Sequence, residues 1–158
     1  MKKPGYQVCL LLGSNIRPEY NLPLAVGLLR EQLTVLQVSS VWESAPVGGN
    51  GPNFLNAALL AVSPLDAPAL KQEVLLPMEE QLGRVRNSDK NSPRPIDLDI
   101  IFFDQQLMDP TLGHFAHKAV PVAEVLPEVP AGKDQSLKEV AARLVAIDPL
   151  HLREDVVL

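Results

Sequence analysis

The chain has 158 residues, 46% apolar and 21% charged, which bounds it to one globular domain, 1–158, with a real core rather than a disordered segment. A formal net charge of −5 argues against nucleic acid as the main partner, so any basic stretch is local and meets a small anion. No run approaches the ~20 apolar residues of a membrane span, which excludes a spanning helix as an expectation.

The elements follow in chain order. Tyr6 to Leu12 is an apolar run stopped by Gly13-Ser14-Asn15, a buried first strand. That run ends too early for a secretory signal, and its single cysteine, Cys9, reads as a buried thiol in a cytoplasmic protein. Asn21 caps a predicted helix over about 22–36, with Pro23 in its first turn. Val38 to Trp42 is a β-branched second strand, and 45–52 is a loop by composition. Asn53 to Val62 is a third strand. Asp66 opens a second helix running to Leu82, which Pro77 kinks or breaks.

Ile96 to Phe103 is a central strand. It alternates Ile96, Leu98, Ile100 and Phe102 against Asp97, Asp99, Ile101 and Phe103, so one face begins acidic and turns apolar. Residues 105–111 read as a hairpin or short edge strand. Val122 to Leu126 and Ser136 to Val145 are short helices, with Ser136 and Glu139 at capping-box spacing. Fifteen prolines, about twice the average usage, imply many rigid loops. The order β-α-β-β-α-β predicts an α+β fold with a ferredoxin-like core, α/β/α layers and short C-terminal helices.

The chemistry concentrates between Arg84 and Asp99. Arg84, Arg86, Lys90 and Arg94 fall in a short polar loop that runs into the strand bearing Asp97 and Asp99. Residues two apart on a strand share a face, roughly 6.5–7 Å apart. Acids placed near a core need a cation, and carboxylate oxygens suit Mg²⁺. Guanidinium grips phosphate with a two-pronged geometry, and Pro93 and Pro95 stiffen the backbone around Arg94. The combination points to phosphoryl transfer. The bland alternative is a salt-bridge network between these acids and arginines. Phe54 and Asn56 share a strand face and could stack on and read a flat heterocycle, or simply serve core and edge. Gly13-Ser14-Asn15 is only a turn and lacks the G-K-[ST] of a P-loop. His114, His117 and His151 have no metal spacing.

Together these stretches resemble the 6-hydroxymethyl-7,8-dihydropterin pyrophosphokinase family. The matching segments are 12–15, 39–48, 53–58, Glu79 through Gly83-Arg84-Val85-Arg86, and Pro93-Arg94-Pro95-Ile96-Asp97-Leu98-Asp99, in the family's order. The resemblance implies transfer of pyrophosphate from ATP to the pterin hydroxymethyl oxygen with release of AMP, in folate biosynthesis. It implies two Mg²⁺ ions on Asp97 and Asp99, and catalytic contacts to the triphosphate from Arg84 and Arg94. Glu79, Arg86, His114 and Lys118 fall to the nucleotide. Ser44, Ala45, Val47, Phe54 and Asn56 fall to the pterin. Loops about 48–52 and 87–92 would close over the site.

This sequence departs from the family pattern at Asn91, Ser92 and the segment Phe115 to Pro121, which is shorter. There Lys118 stands in for an arginine and Phe115 for an aromatic over the pterin. The expected partners are ATP and the pterin, with no nucleic acid and no membrane, in a monomer or a homodimer. The alternative is a catalytically weakened ferredoxin-like protein that binds nucleotide without turnover.

Overall fold

The computed structural model describes residues 5–85 and 93–158. The elements are β1 (Tyr6–Ser14), α1 (Pro18–Gln32), β2 (Thr34–Val38), β3 (Trp42–Ser44) and β4 (Phe54–Ser63). An interrupted helix follows, with α2 (Ala67–Leu70) and α3 (Leu76–Gln81) joined by a π-helical turn (Lys71–Leu75). Then come β5 (Asp97–Phe103), β6 (Gln106–Leu107), a 3₁₀ turn (Leu112–His114), α4 (Ala116–Val125), α5 (Leu137–Ile147) and β7 (His151–Leu152).

The strands form one antiparallel sheet in the order β6-β5-β1-β4-β3-β7, with β2 also pairing with β4. Alternation on β1 sends Val8, Leu10 and Leu12 to one face and Cys9 and Leu11 to the other. The first face packs on α1 and on the α2–α3 segment, through Leu22, Leu29, Leu70 and Leu75. The second packs on α4 and α5, through Ala119, Val122 and Leu137. Leu10, Leu12 and Leu59 are completely buried, and truncating any one to alanine would cost about 2–5 kcal/mol. Cys9 is a core thiol, and burial pushes its pKa up to about 12. No helix among the described residues is long and apolar enough to cross a membrane.

Several expected boundaries move. The first helix starts at Pro18 instead of Leu22, because Pro18 takes the first-turn position expected for Pro23. Asn21 is buried inside the helix, where its Nδ2–H donates to Ile16 O at 2.6 Å, and does not cap it. Residues 34–36 leave the helix for β2. The second strand is split into β2 and β3, because the Ser39 hydroxyl accepts the Ala58 N–H at 2.8 Å where a ladder carbonyl would otherwise do so. Asp66 does cap the next helix, accepting the Ala69 N–H at 3.0 Å. The wide π turn ahead of Pro77 relieves the clash its ring would make in an α-helix.

On β5 a bulge inserts Ile101 opposite the Cys9–Leu10 step of β1. The alternation therefore slips. Phe103 joins Leu98 in the first core, while Ile101 and Phe102 both join the second. The β5–β6 connection is a tight hairpin, with Asp104 and Gln105 at φ 49° and 72°. The last helix is capped by Ser136, whose Oγ accepts the Glu139 N–H at 3.3 Å. Strand β7 was not expected and covers the outer edge of β3.

Candidate active site

The sequence builds Arg84 into place through a helix stop. Gly83 has φ 98°, a left-handed conformation that favours glycine. There the Gly83 N–H donates to Glu80 O and the Arg84 N–H to Glu79 O, each at 3.0 Å, closing the end of α3. The chain reversal points Arg84 toward β5. The Arg84 Nη1 lies 3.0 Å from Glu79 Oε2 and 2.7 Å from Asp97 Oδ1. Glu79 is buried, and its Oε2 also accepts the Leu98 N–H at 2.8 Å. It thereby fixes Arg84 against the part of β5 that β6 does not reach, since β6 pairs only with Phe102 and Phe103.

Arg94 arrives from the other side of Asp97. Its Nη1 lies 3.0 Å from Asp97 Oδ2. Its backbone is held by Asn15, which follows β1: Asn15 Oδ1 accepts the Arg94 N–H at 2.7 Å, and the Asn15 N–H donates to Arg94 O at 3.1 Å. Each oxygen of Asp97 is thus occupied by a different guanidinium. Asp99 lies two residues on, facing the same way. It keeps an exposed edge, yet burial of its carboxyl, then the Asp97 charge, push its pKa up to about 6 against the pull of Lys118.

A cavity of about 180 Å³ opens above these acids. Its wall carries Gly13, Ser44, Ala45, Val47, Phe54, Asn56, Arg94, Asp97, Asp99, His117 and Lys118. Ser44 pairs with Phe54, and Trp42 with Asn56, in the β3–β4 ladder, so all four side chains share one face. The buried Asn56 amide donates to Trp42 O at 3.0 Å and to Ser44 Oγ at 2.8 Å, which locks its orientation. A second cavity, about 570 Å³, shares Asp99 and Lys118 with the first. It runs past Lys71, Leu75, Ile100, Met108 and Asp109. Lys118 stands between the two, bound to Asp109 Oδ2 at 2.7 Å and Thr111 Oγ1 at 2.8 Å.

The structure thus brings Ser44, Ala45, Val47, Phe54, Asn56, Arg94, Asp97, Asp99 and Lys118 to one cleft, with Arg84 and Glu79 behind Asp97. His114 is exposed on the 3₁₀ turn and lines neither cavity. Arg86, Lys90, Asn91, Ser92 and the loop 87–92 lie outside the described residues.

Sequence reasoning missed His117. On the α4 side of the wall the ring is His117 rather than Phe115, because α4 begins at Ala116 and turns His117 and Lys118 inward in its first turn. Phe115 packs beside it instead, ring centroids 5.4 Å apart. Helix α4 is tied to β3 by Glu124, which accepts the Trp42 Nε1–H at 2.6 Å and the Ser40 N–H at 2.8 Å. Burial, then the Lys118 charge, hold the His117 pKa below its usual value, so the ring is neutral at pH 7. The sequence presents Asn15 only as a turn residue within the matching segment 12–15. Its bonds to Arg94 span 79 residues and leave no local signal.

An antiparallel sheet backed by helices, with two arginines on one carboxylate beside a slot between strands and helix, defines an α+β protein with a charged cleft. The sequence profile of the 7,8-dihydro-6-hydroxymethylpterin-pyrophosphokinase (HPPK) family matches residues 9–127, and the chain belongs to that family. It is 33% identical over 135 residues to the 2-amino-4-hydroxy-6-hydroxymethyldihydropteridine pyrophosphokinase of Bacillus subtilis, covering 76% of this chain and 78% of that one. It is 36% identical over 100 residues to a folate synthesis bifunctional protein of Arabidopsis thaliana, covering 61% of this chain but 20% of that protein. The fold is similar to that of Plasmodium falciparum HPPK-DHPS, with TM-score 0.70 and 13% identity, over 90% of this chain and 44% of that one. The chain therefore spans less than half of the Arabidopsis and Plasmodium proteins.

Proposed function

We infer that this protein transfers the pyrophosphoryl group of ATP to the hydroxymethyl oxygen of 6-hydroxymethyl-7,8-dihydropterin, releasing AMP, as a step of folate biosynthesis. The observation that carries this reading is Asp97, held by Arg84 and Arg94 in the wall of the smaller cavity, two residues from Asp99, which both cavities share. Family membership supports the same reaction. The strand order and the helix-backed cores on both sheet faces support a ferredoxin-like, α/β/α reading of the fold.

The smaller cavity suits the pterin. Phe54 offers a ring face, Asn56 and Ser44 offer polar edges, and His117 faces the slot as a neutral ring. The larger cavity suits ATP, with Leu75, Ile100 and Met108 against the base and Lys118 toward the phosphates. Asp99 and Lys118 lie where the two meet, with Asp97 on the side of the smaller cavity.

Asp97 and Asp99 fit Mg²⁺: both are hard oxygen donors on one strand face, and burial, then the Asp97 charge, raise the Asp99 pKa, a cost that a cation relieves. Two Mg²⁺ ions held there would neutralise triphosphate charge and polarise the attacked phosphorus.

When the triphosphate enters, Arg84 and Arg94 exchange Asp97 for phosphate oxygens, which frees the Asp97 carboxylate that would hold a cation. Arg94, fixed by Asn15, then stabilises charge that grows as the α–β bond breaks. The stacked pterin is held so that its hydroxymethyl oxygen lies in line with the β-phosphorus, and AMP is the leaving group. Phosphorus NMR of the products tests this. The reading requires AMP and a pterin diphosphate in equal amounts; ADP with a pterin monophosphate contradicts it.

A further inference from the structure

We propose that Arg153, near the C-terminus, is a positioning residue for the pterin-side wall. It acts through Glu43 and Asn53. The inference rests on the pterin reading of the smaller cavity.

Arg153 lies beyond the segment that matches the family profile. It follows β7, and its N–H donates to Val41 O at 2.9 Å, which fastens the tail to the edge of β3. Its guanidinium reaches three elements. Nη1 donates to Glu43 Oε1 at 2.8 Å. Nε and Nη2 grip Asp155 at 2.9 and 2.8 Å, and Nη2 lies 3.4 Å from Glu19 on α1. Glu43 has its other oxygen, Oε2, on the Asn53 Nδ2–H at 2.9 Å. The Asn53 bond, then Arg153, hold the Glu43 carboxyl below its ordinary pKa, so it stays charged at pH 7.

Glu43 and Asn53 bracket the slot. Glu43 immediately precedes Ser44, and Asn53 immediately precedes Phe54. Ser44 and Phe54 are ladder partners whose side chains line the cavity, while Glu43 points to the opposite face of the sheet. Loop 45–52 connects the two strands and carries Ala45, Pro46 and Val47 into the cavity wall. The Glu43–Asn53 bond therefore clasps the two feet of that loop from behind. Arg153 fixes the clasp, because a doubly bonded carboxylate cannot rotate away from Asn53. The remote tail thereby sets the width of the slot without touching the ligand.

The test uses the full chain in steady-state kinetics, with pterin affinity measured by fluorescence alongside. Arg153→Ala and Asn53→Ala are each expected to raise the pterin KM and Kd about tenfold, with the ATP KM within about twofold. The double variant is expected to be no worse than either single, since both cut one chain of contacts. Arg153→Lys recovers part of the loss, and Asp155→Asn, which spares Glu43, leaves the pterin KM unchanged. Melting curves confirm that each variant is folded at the assay temperature; an unfolded Arg153→Ala passes the decision to Asn53→Ala and Arg153→Lys. An active wild type whose variants keep the pterin KM, lose both substrates together, or add fully in the double variant overturns this inference alone. A wild type that neither binds pterin nor releases AMP overturns the functional reading and this inference with it.

Discussion

Asn15 and Arg94 hold each other across 79 residues: Asn15 Oδ1 accepts the Arg94 N–H at 2.7 Å, and the Asn15 N–H returns a bond to Arg94 O at 3.1 Å. Asn15 is buried at the end of β1, so it transmits the rigidity of the central strand to an arginine that sits in a loop. Asn15→Ala leaves the Arg94 N–H without this acceptor, a cost of about 1–3 kcal/mol in stability. It is also expected to lower kcat by about tenfold or more, as Arg94 loses its fixed aim. A variant that melts lower but keeps full kcat would separate the bond from catalysis.

Arg94 and Arg84 differ in what their loss exposes. Arg94→Ala is expected to reduce kcat by roughly 10²–10³-fold while the fold persists, as removal of a charge-stabilising donor does. Arg84→Ala also takes a cation away from the buried Glu79 carboxylate, which keeps the Leu98 N–H, so it should lower both kcat and the melting temperature. Equal melting temperatures for the two variants would contradict the support assigned to Glu79.

Asp99 predicts a pH signature. Its folded pKa, about 6, lies above the unfolded value, so the native state holds its proton more tightly. Its contribution to stability is fully present below the unfolded pKa and is lost as pH rises through about 6. Asp99→Asn should therefore melt higher than wild type at pH 7, and the gap should close toward pH 4. The open edge of Asp99 screens the effect to about 1 kcal/mol, roughly 2–4 °C in a chain of this size. Added Mg²⁺ should raise the melting temperature of wild type more than that of Asp99→Asn. A gap that widens on acidification contradicts the assigned cause.

His117 and Phe115 are neighbours with different consequences. His117→Ala is expected to raise the pterin KM roughly fivefold, and His117→Phe to restore it, because the neutral imidazole serves as a ring face. Phe115→Ala, which removes only the ring beside His117, should cost less. A larger effect at Phe115 than at His117 would reverse the placement.

Strands β1 and β5, and the shared face of Asp97 and Asp99, were legible because β1 and β5 carry long apolar runs with turn residues at their ends. The break between β2 and β3 was not, since it depends on one Ser39 hydroxyl meeting Ala58. The three-residue spacing of Leu33 and Leu36 fits a helix, yet Leu36 is exposed, and pairing of Thr34–Val38 with β4 decided for the strand. The slip at Ile101 needs the β1 register, which no single strand contains. In the site, residue types singled out Arg84, Arg94 and Asp97, which the structure brings into contact. The contacts that aim them, from Asn15 and Glu79, are long-range, as is Arg153 on Glu43, 110 residues away. His117 was obscured by Phe115, the more obvious aromatic, until the start of α4 fixed which one turns inward.

The central claim, that Asp97 serves transfer of pyrophosphate from ATP, is tested most directly by AMP release with ATP, Mg²⁺ and 6-hydroxymethyl-7,8-dihydropterin, wild type beside Asp97→Ala. The account predicts pterin-dependent AMP from wild type and a loss of about 10²-fold or more in the variant. No AMP above background from wild type at saturating substrates, or equal rates from the two proteins, would contradict it.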